Sequence, residues 1–272
     1  MQLSIGFSTC PNDTFIFDAL VHGRIDCGGL RFNPHLADVE ELNRFALETR
    51  LDITKMSYAA FALVSRHYQL LNAGSALGRG CGPLLISRGP IAKENWDRMR
   101  IAIPGRMTTA NLLLSHALPK AANRTELLFS QIEKTVLSGD FDAGLIIHES
   151  RFTYAAKGLY KLIDLGEYWE QTTGQPIPLG GIAIRRDLDE DLKMKVDSLV
   201  RQSVEYAFAH PQASKEYIMH HAQEMSAEVA RQHIDLYVNG HSIDLGTDGR
   251  AAVRHLYAQA GLVVEEPVFV GS

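Results

Sequence analysis

No basic excess, no cysteine framework, no long apolar run and no low-complexity tract mark this 272-residue sequence. Each absence excludes a class of protein. Acidic residues number 32 against 27 lysines and arginines, and both signs are scattered over a formal charge of -5. A nucleic-acid partner would call for a basic face or tail, so none is expected, and any anionic ligand must be held by local groups. Cys10, Cys27 and Cys81 lie far apart without metal-ligand spacing, which argues against disulfides and a zinc site and fits a reducing cytoplasm. The start, Met1-Gln-Leu-Ser-Ile-Gly-Phe7, has no basic segment before its apolar positions and turns polar at Ser8. Neither a signal peptide nor a membrane span is expected from it.

What is present suits a globular α/β protein: 46% hydrophobic and 22% charged residues, with length enough for two compact lobes. The order of elements repeats. Leu3 to Phe7 reads as a short apolar strand, then a proline-containing turn and a helix from Thr14 to Val21. Arg100 to Ile103, then Pro104-Gly105-Arg106 and a helix from Thr108 to Leu118, follow the same plan. Second strands are expected at Leu30 to Asn33 and Leu127 to Phe129. Second helices begin at Asp38-Val-Glu-Glu41 and Ser130-Gln-Ile-Glu133, each with a capping side chain and a glutamate three positions on. Third strands follow at Asp52 to Lys55 and Asp142 to Ile147. The spacing therefore predicts two βαβαβ lobes with low residue identity between them.

Right-handed connections would gather the strand ends of each lobe on one edge. The expected architecture is two-lobed, with a central cleft and a hinge: residues 1–86 and 181–272 form the first lobe with the C-terminal helices, and 87–180 the second. Leu77-Gly-Arg-Gly-Cys-Gly-Pro83 reads as the hinge rather than a phosphate cradle, because Pro83 and a strand-like run follow it instead of a helix. A second crossing is expected near Pro176 to Gly181, before a strand at Ile182 to Ile184. Helical patterns then cover Leu192 to His210, Gln212 to Gln223, Ser226 to Val238 and Asp248 to Gly261.

The most informative segment is Gly144-Leu-Ile-Ile-His-Glu-Ser-Arg-Phe-Thr-Tyr154, where an apolar strand runs into a polar cluster. His148 stands where that strand emerges, the edge at which open α/β sheets bind ligands. An imidazole there is a candidate general base, with a backbone-satisfied strand-end histidine as the competing explanation. Extended alternation would put His148 and Ser150 on one side and Glu149 on the other. The other ten histidines lack this placement, His233 among them.

Two further strand-to-helix junctions are polar. Lys55-Met56-Ser57 precedes an apolar helix that Ser57 can cap, and Thr108-Thr109-Ala110 opens another. Each is explained equally by an ordinary N-cap. Together they suit a small anionic molecule with oxygen-rich ends.

Gly6 to Phe17, Thr54 to Ala60, Ala76 to Pro83 and Gly144 to Tyr154, in that order, resemble the 1,4-dihydroxy-6-naphthoate synthase family of the futalosine route to menaquinone. The resemblance implies a type II periplasmic binding protein-like fold in a cytoplasmic carbon-carbon lyase without cofactor or metal. It implies cyclic dehypoxanthine futalosine as substrate, His148 as proton acceptor, and Lys55, Met56, Ser57, Thr108, Thr109 and Ala110 as substrate contacts. It implies no membrane or nucleic-acid partner and leaves the oligomeric state open. A chorismate dehydratase-like enzyme of the same pathway and a non-catalytic solute-binding protein are the rival readings; the segment around His148 favours the synthase.

Overall fold

The computed structural model describes residues 1–222 and 226–272, so Gln223, the expected end of one helix, lies outside the described residues. The chain begins with β1 (Gln2–Phe7), α1 (Pro11–Val21), β2 (Arg31–Leu36), α2 (Val39–Leu47), β3 (Ile53–Ser57) and α3 (Tyr58–Val64). Next come β4 (Tyr68–Leu70), β5 (Ala76–Gly78), β6 (Leu84–Ser87), a 3-10 turn at Lys93–Arg98, β7 (Ile101–Ile103) and α4 (Thr109–Ala117). Then follow β8 (Arg124–Glu126), α5 (Phe129–Ser138), β9 (Ala143–Ile146), α6 (Ser150–Thr153), β10 (Tyr160–Asp164) and α7 (Leu165–Thr173). The long strand β11 (Ile177–Arg185) leads to α8 (Glu190–Ala209), α9 (Lys215–His221), α10 (Ala227–Tyr237), α11 (Gly240–Ile243) and α12 (Gly246–Ala260).

Two compact units result, Met1–Gly78 with Pro178–Ser272, and Arg79–Ile177. The sheet of the first has the order β2-β1-β3-β11-β4, with β5 also on β11. β1 lies parallel to β2 and β3, whereas β11 runs antiparallel to β3 and β4. Leu3, Ile5 and Phe7 of β1 are buried with Phe15, Ile16 and Phe17 of α1 and with Val196, Val200 and Val204 of α8. α1 starts at Pro11, earlier than the expected Thr14, because proline at the first helical position has its φ preset and its missing N–H costs nothing there. β2 keeps Pro34 because it is an edge strand.

The second unit's sheet has the order β10-β6-β9-β7-β8. β7 is parallel to β8 and β9, while β6 is antiparallel to β9 and β10. In both units the first βαβαβ strand lies between the second and third, so the repeated plan in the sequence is a repeated topology. Two corrections follow. The sheet around Leu145 is mixed rather than parallel, although all four β9 residues are buried as their apolar character requires. Leu84 to Ile86, assigned above to the first lobe, belong to the second unit, because a strand goes with the sheet that satisfies its backbone and β6 pairs with β9 and β10. The second crossing falls at Ile177/Pro178, within the expected Pro176 to Gly181.

Candidate active site

In the second unit, β7 and β9 are hydrogen-bonded neighbours running the same way. The segments after their carboxyl ends, 104–110 and 147–150, therefore leave the sheet at one edge. β9 ends at Ile146, and His148 occupies a turn with φ of +57° before α6 begins at Ser150. The extended alternation expected through Ser150 does not occur. Instead the Arg151 and Phe152 amides donate to the His148 and Glu149 carbonyls, and Glu149 and Ser150 are both buried. The His148 imidazole is partly buried and meets the Phe129 ring edge to face, with centroids 5.0 Å apart. Positive φ is uncommon for a residue with a side chain, and such strain concentrates at functional positions.

Thr108 is the N-cap of α4: its hydroxyl accepts from the Asn111 amide at 3.2 Å and donates to the Gly105 carbonyl at 2.8 Å. Thr109 and Ala110 form the first turn of that helix and are buried. The first-turn amides of an α-helix have no intrahelical acceptor, which makes this turn receptive to oxygen-rich anions.

In the first unit, Lys55, Met56 and Ser57 end β3 and are all buried. The Lys55 ammonium donates to the Gly74 carbonyl at 2.8 Å and lies 3.2 Å from Asp13 Oδ1. It is therefore no solvated charge. Asp13 also accepts from the Ser8 amide and hydroxyl and from Asn12 Nδ2. Because Asn12 Nδ2 donates to a carboxylate, its Oδ1 must be the acceptor for His233 Nε2, 2.8 Å away, so that ring nitrogen carries a proton. Ser57 is the N-cap of α3, but its hydroxyl makes no capping bond; its amide donates to Asn43 Oδ1 instead. The expected side-chain cap is replaced by a link to α2. The sequence did not single out Asn12, Asp13, Asn43 or the His233 contact. Asn12 and Asp13 carried a legible signal, since they stand in the first turn of the helix that follows β1 across a short polar turn.

Cys81 is buried, and desolvation pushes its thiol up to about 12, so it holds no thiolate near neutral pH. Among the described residues, no group of three or more histidine, cysteine or acidic side chains is placed to hold a metal ion, and no helix is long and apolar enough to cross a membrane.

The family model described as menaquinone biosynthesis matches residues 3–261. The chain belongs to the menaquinone biosynthesis family. Curated relatives of this family member include a 1,4-dihydroxy-6-naphthoate synthase of Thermus thermophilus, 50% identical over 268 residues and 97% of each chain. Another synthase of that name, from Streptomyces coelicolor, is 45% identical over 95% of this chain and 92% of the relative. A crystal structure of an Archaeoglobus fulgidus protein matches with a TM-score of 0.91 at 35% identity, covering 96% of this chain and 98% of that one. A Candida albicans protein with the generic periplasmic binding protein fold matches at TM-score 0.66 and 15% identity, over 98% and 92% of the two chains. The fold of this family member is thus periplasmic binding protein-like, on mixed sheets.

Proposed function

We propose that the chain is a 1,4-dihydroxy-6-naphthoate synthase, a cytoplasmic carbon-carbon lyase that acts on cyclic dehypoxanthine futalosine without metal or cofactor. The observation that carries this reading is near-complete alignment with two curated synthases at 50% and 45% identity. The left-handed backbone of His148 at the carboxyl edge of its sheet supports its role as the base. The neutral imidazole takes an activated proton from the substrate. Removal of that proton begins release of the aromatic product: the electron pair left behind becomes part of its ring system, and the pair of the broken carbon-carbon bond leaves on the sugar-derived fragment, which takes up a proton.

Lys55, Met56, Ser57, Thr108, Thr109 and Ala110 contact the substrate in this reading. Lys55 is already ordered, since Asp13 balances its charge and the Gly74 carbonyl accepts from its ammonium, so placing it against the substrate costs little side-chain entropy. The α4 N-terminus at Thr109 and Ala110 presents the positive end of the helix dipole to carboxylate or hydroxyl oxygens. Incubating the purified protein with the cyclic futalosine derivative, with no metal or cofactor added, and following products by mass spectrometry tests the proposal. Release of the dihydroxynaphthoate is expected. Binding without conversion would favour the non-catalytic solute-binding reading instead.

A further inference from the structure

Glu133 does not do what its spacing from Ser130 predicts. α5 begins one residue earlier, at Phe129, and its N-cap is Leu128 with no side-chain capping bond. The Glu133 carboxylate is buried, and Oε2 accepts from the Ser150 hydroxyl at 3.2 Å and the Lys157 ammonium at 2.8 Å. Burial of a carboxylate is unfavourable unless it is paired and hydrogen-bonded, and Lys157 and Ser150 supply that pairing here. Phe129, four residues earlier and hence on the same face of α5, presents its ring to the His148 imidazole.

One helix face thus grips the turn at two points, the ring of His148 and the hydroxyl of Ser150. Between those points the backbone leaves β9 with the positive φ of His148. A strained conformation persists only where its surroundings over-determine it. The geometry points to Phe129 and Glu133 as positioning residues for His148: α5 holds the imidazole and the start of α6 in the arrangement from which the ring accepts a proton. This rests on the reading of His148 as the base.

Steady-state kinetics of Phe129→Leu and Glu133→Ala test it. Each variant is expected to lose kcat by about 10- to 100-fold, the scale of a small misplacement of a reacting group, with KM within about threefold. A lower unfolding temperature with unchanged kcat, measured well below unfolding, would mean a purely structural role and overturn the inference. Glu133→Gln keeps an acceptor for Ser150 while losing the ion pair with Lys157. It is expected to retain most of the kcat that Glu133→Ala loses, and an equal loss would refute the link through Ser150. The double variant Glu133→Ala/Ser150→Ala is expected to match Glu133→Ala alone, since both remove one bond; multiplied losses would also refute it.

An activity-independent readout separates this inference from the proposed function. The ring-proton NMR signals of His148 are expected to shift in Phe129→Leu, and unaltered signals would overturn the Phe129 contact. If the wild-type protein fails to convert the substrate, the proposed function falls, and this spectrum alone then decides whether α5 holds the ring.

Discussion

The backbone at position 148 suits asparagine nearly as well as histidine, because short polar side chains tolerate the left-handed region that larger or β-branched residues avoid. His148→Asn therefore removes the proton acceptor while leaving the turn intact. Turnover is expected to vanish, substrate affinity to stay within about tenfold, and the unfolding midpoint to hold. Turnover near the wild-type rate would refute the base. His148→Val is expected to lose turnover and about 1–2 kcal/mol of stability, since the left-handed conformation costs a side chain that much. At this scale the position of His148 just beyond a strand end was legible because an apolar strand meets a polar cluster there, but the turn that carries it was not. Hydrophobic alternation predicts extension and says nothing of a left-handed residue. The pairing of Lys55 with Asp13 was equally hidden, because the partners sit on different elements and meet only when β3 lies beside β1.

Among the elements, the three alternating glycines show how one sequence signal can have separate physical causes. Gly80 has φ of +67° and open space around its Cα, while its amide donates to Glu170 Oε1. Gly82 has no positive φ; instead a Cβ there would stand 2.3 Å from the backbone N and Cα of Gly166, at the start of α7. Backbone cannot yield as a side chain does. Arg151 reinforces this approach, since its guanidinium donates to the Gly82 carbonyl and to Asp164, the side-chain cap of α7. Gly82→Ala is expected to destabilise the protein by about 1–3 kcal/mol, the usual cost of overpacking, measured as a lower denaturant midpoint. An unchanged midpoint would mean that the two segments separate at little cost. The βαβαβ order was legible from periodicity and from caps such as Asp38, which accepts from the Glu40 and Glu41 amides. Antiparallel β6 and β11 were not, because strand partners are chosen by contacts between residues remote in sequence.

For the whole molecule, the buried tyrosines set a limit at high pH. Burial pushes the Tyr68 and Tyr217 phenols up to about 12, and raises Tyr58 and Tyr257 further from their ordinary range. Tyr58 is hydrogen-bonded to the Ser75 hydroxyl and Tyr68 donates to the Leu51 carbonyl, yet desolvation outweighs both. The sign is fixed by linkage: the folded chain keeps these protons above the ordinary phenol value of about 10, where the unfolded chain releases them. Stability is fully present below that value and falls as pH rises from about 10 towards 12. All four lie in the unit formed by Met1–Gly78 and Pro178–Ser272, so that unit is expected to unfold at alkaline pH. The C-terminal helices take part, since Tyr217 is on α9 and Tyr257 on α12. Their place in the first lobe was legible, but not their partners: α8 and α9 share a core with α1 through Val196, Val200 and Ile218, and Tyr257 of α12 stacks on Phe61 of α3. A titration that follows tyrosinate absorbance and circular dichroism together checks the prediction. These four phenols are expected to ionise in step with the loss of helix, and ionisation well ahead of that loss would show that water already reaches them in the folded chain.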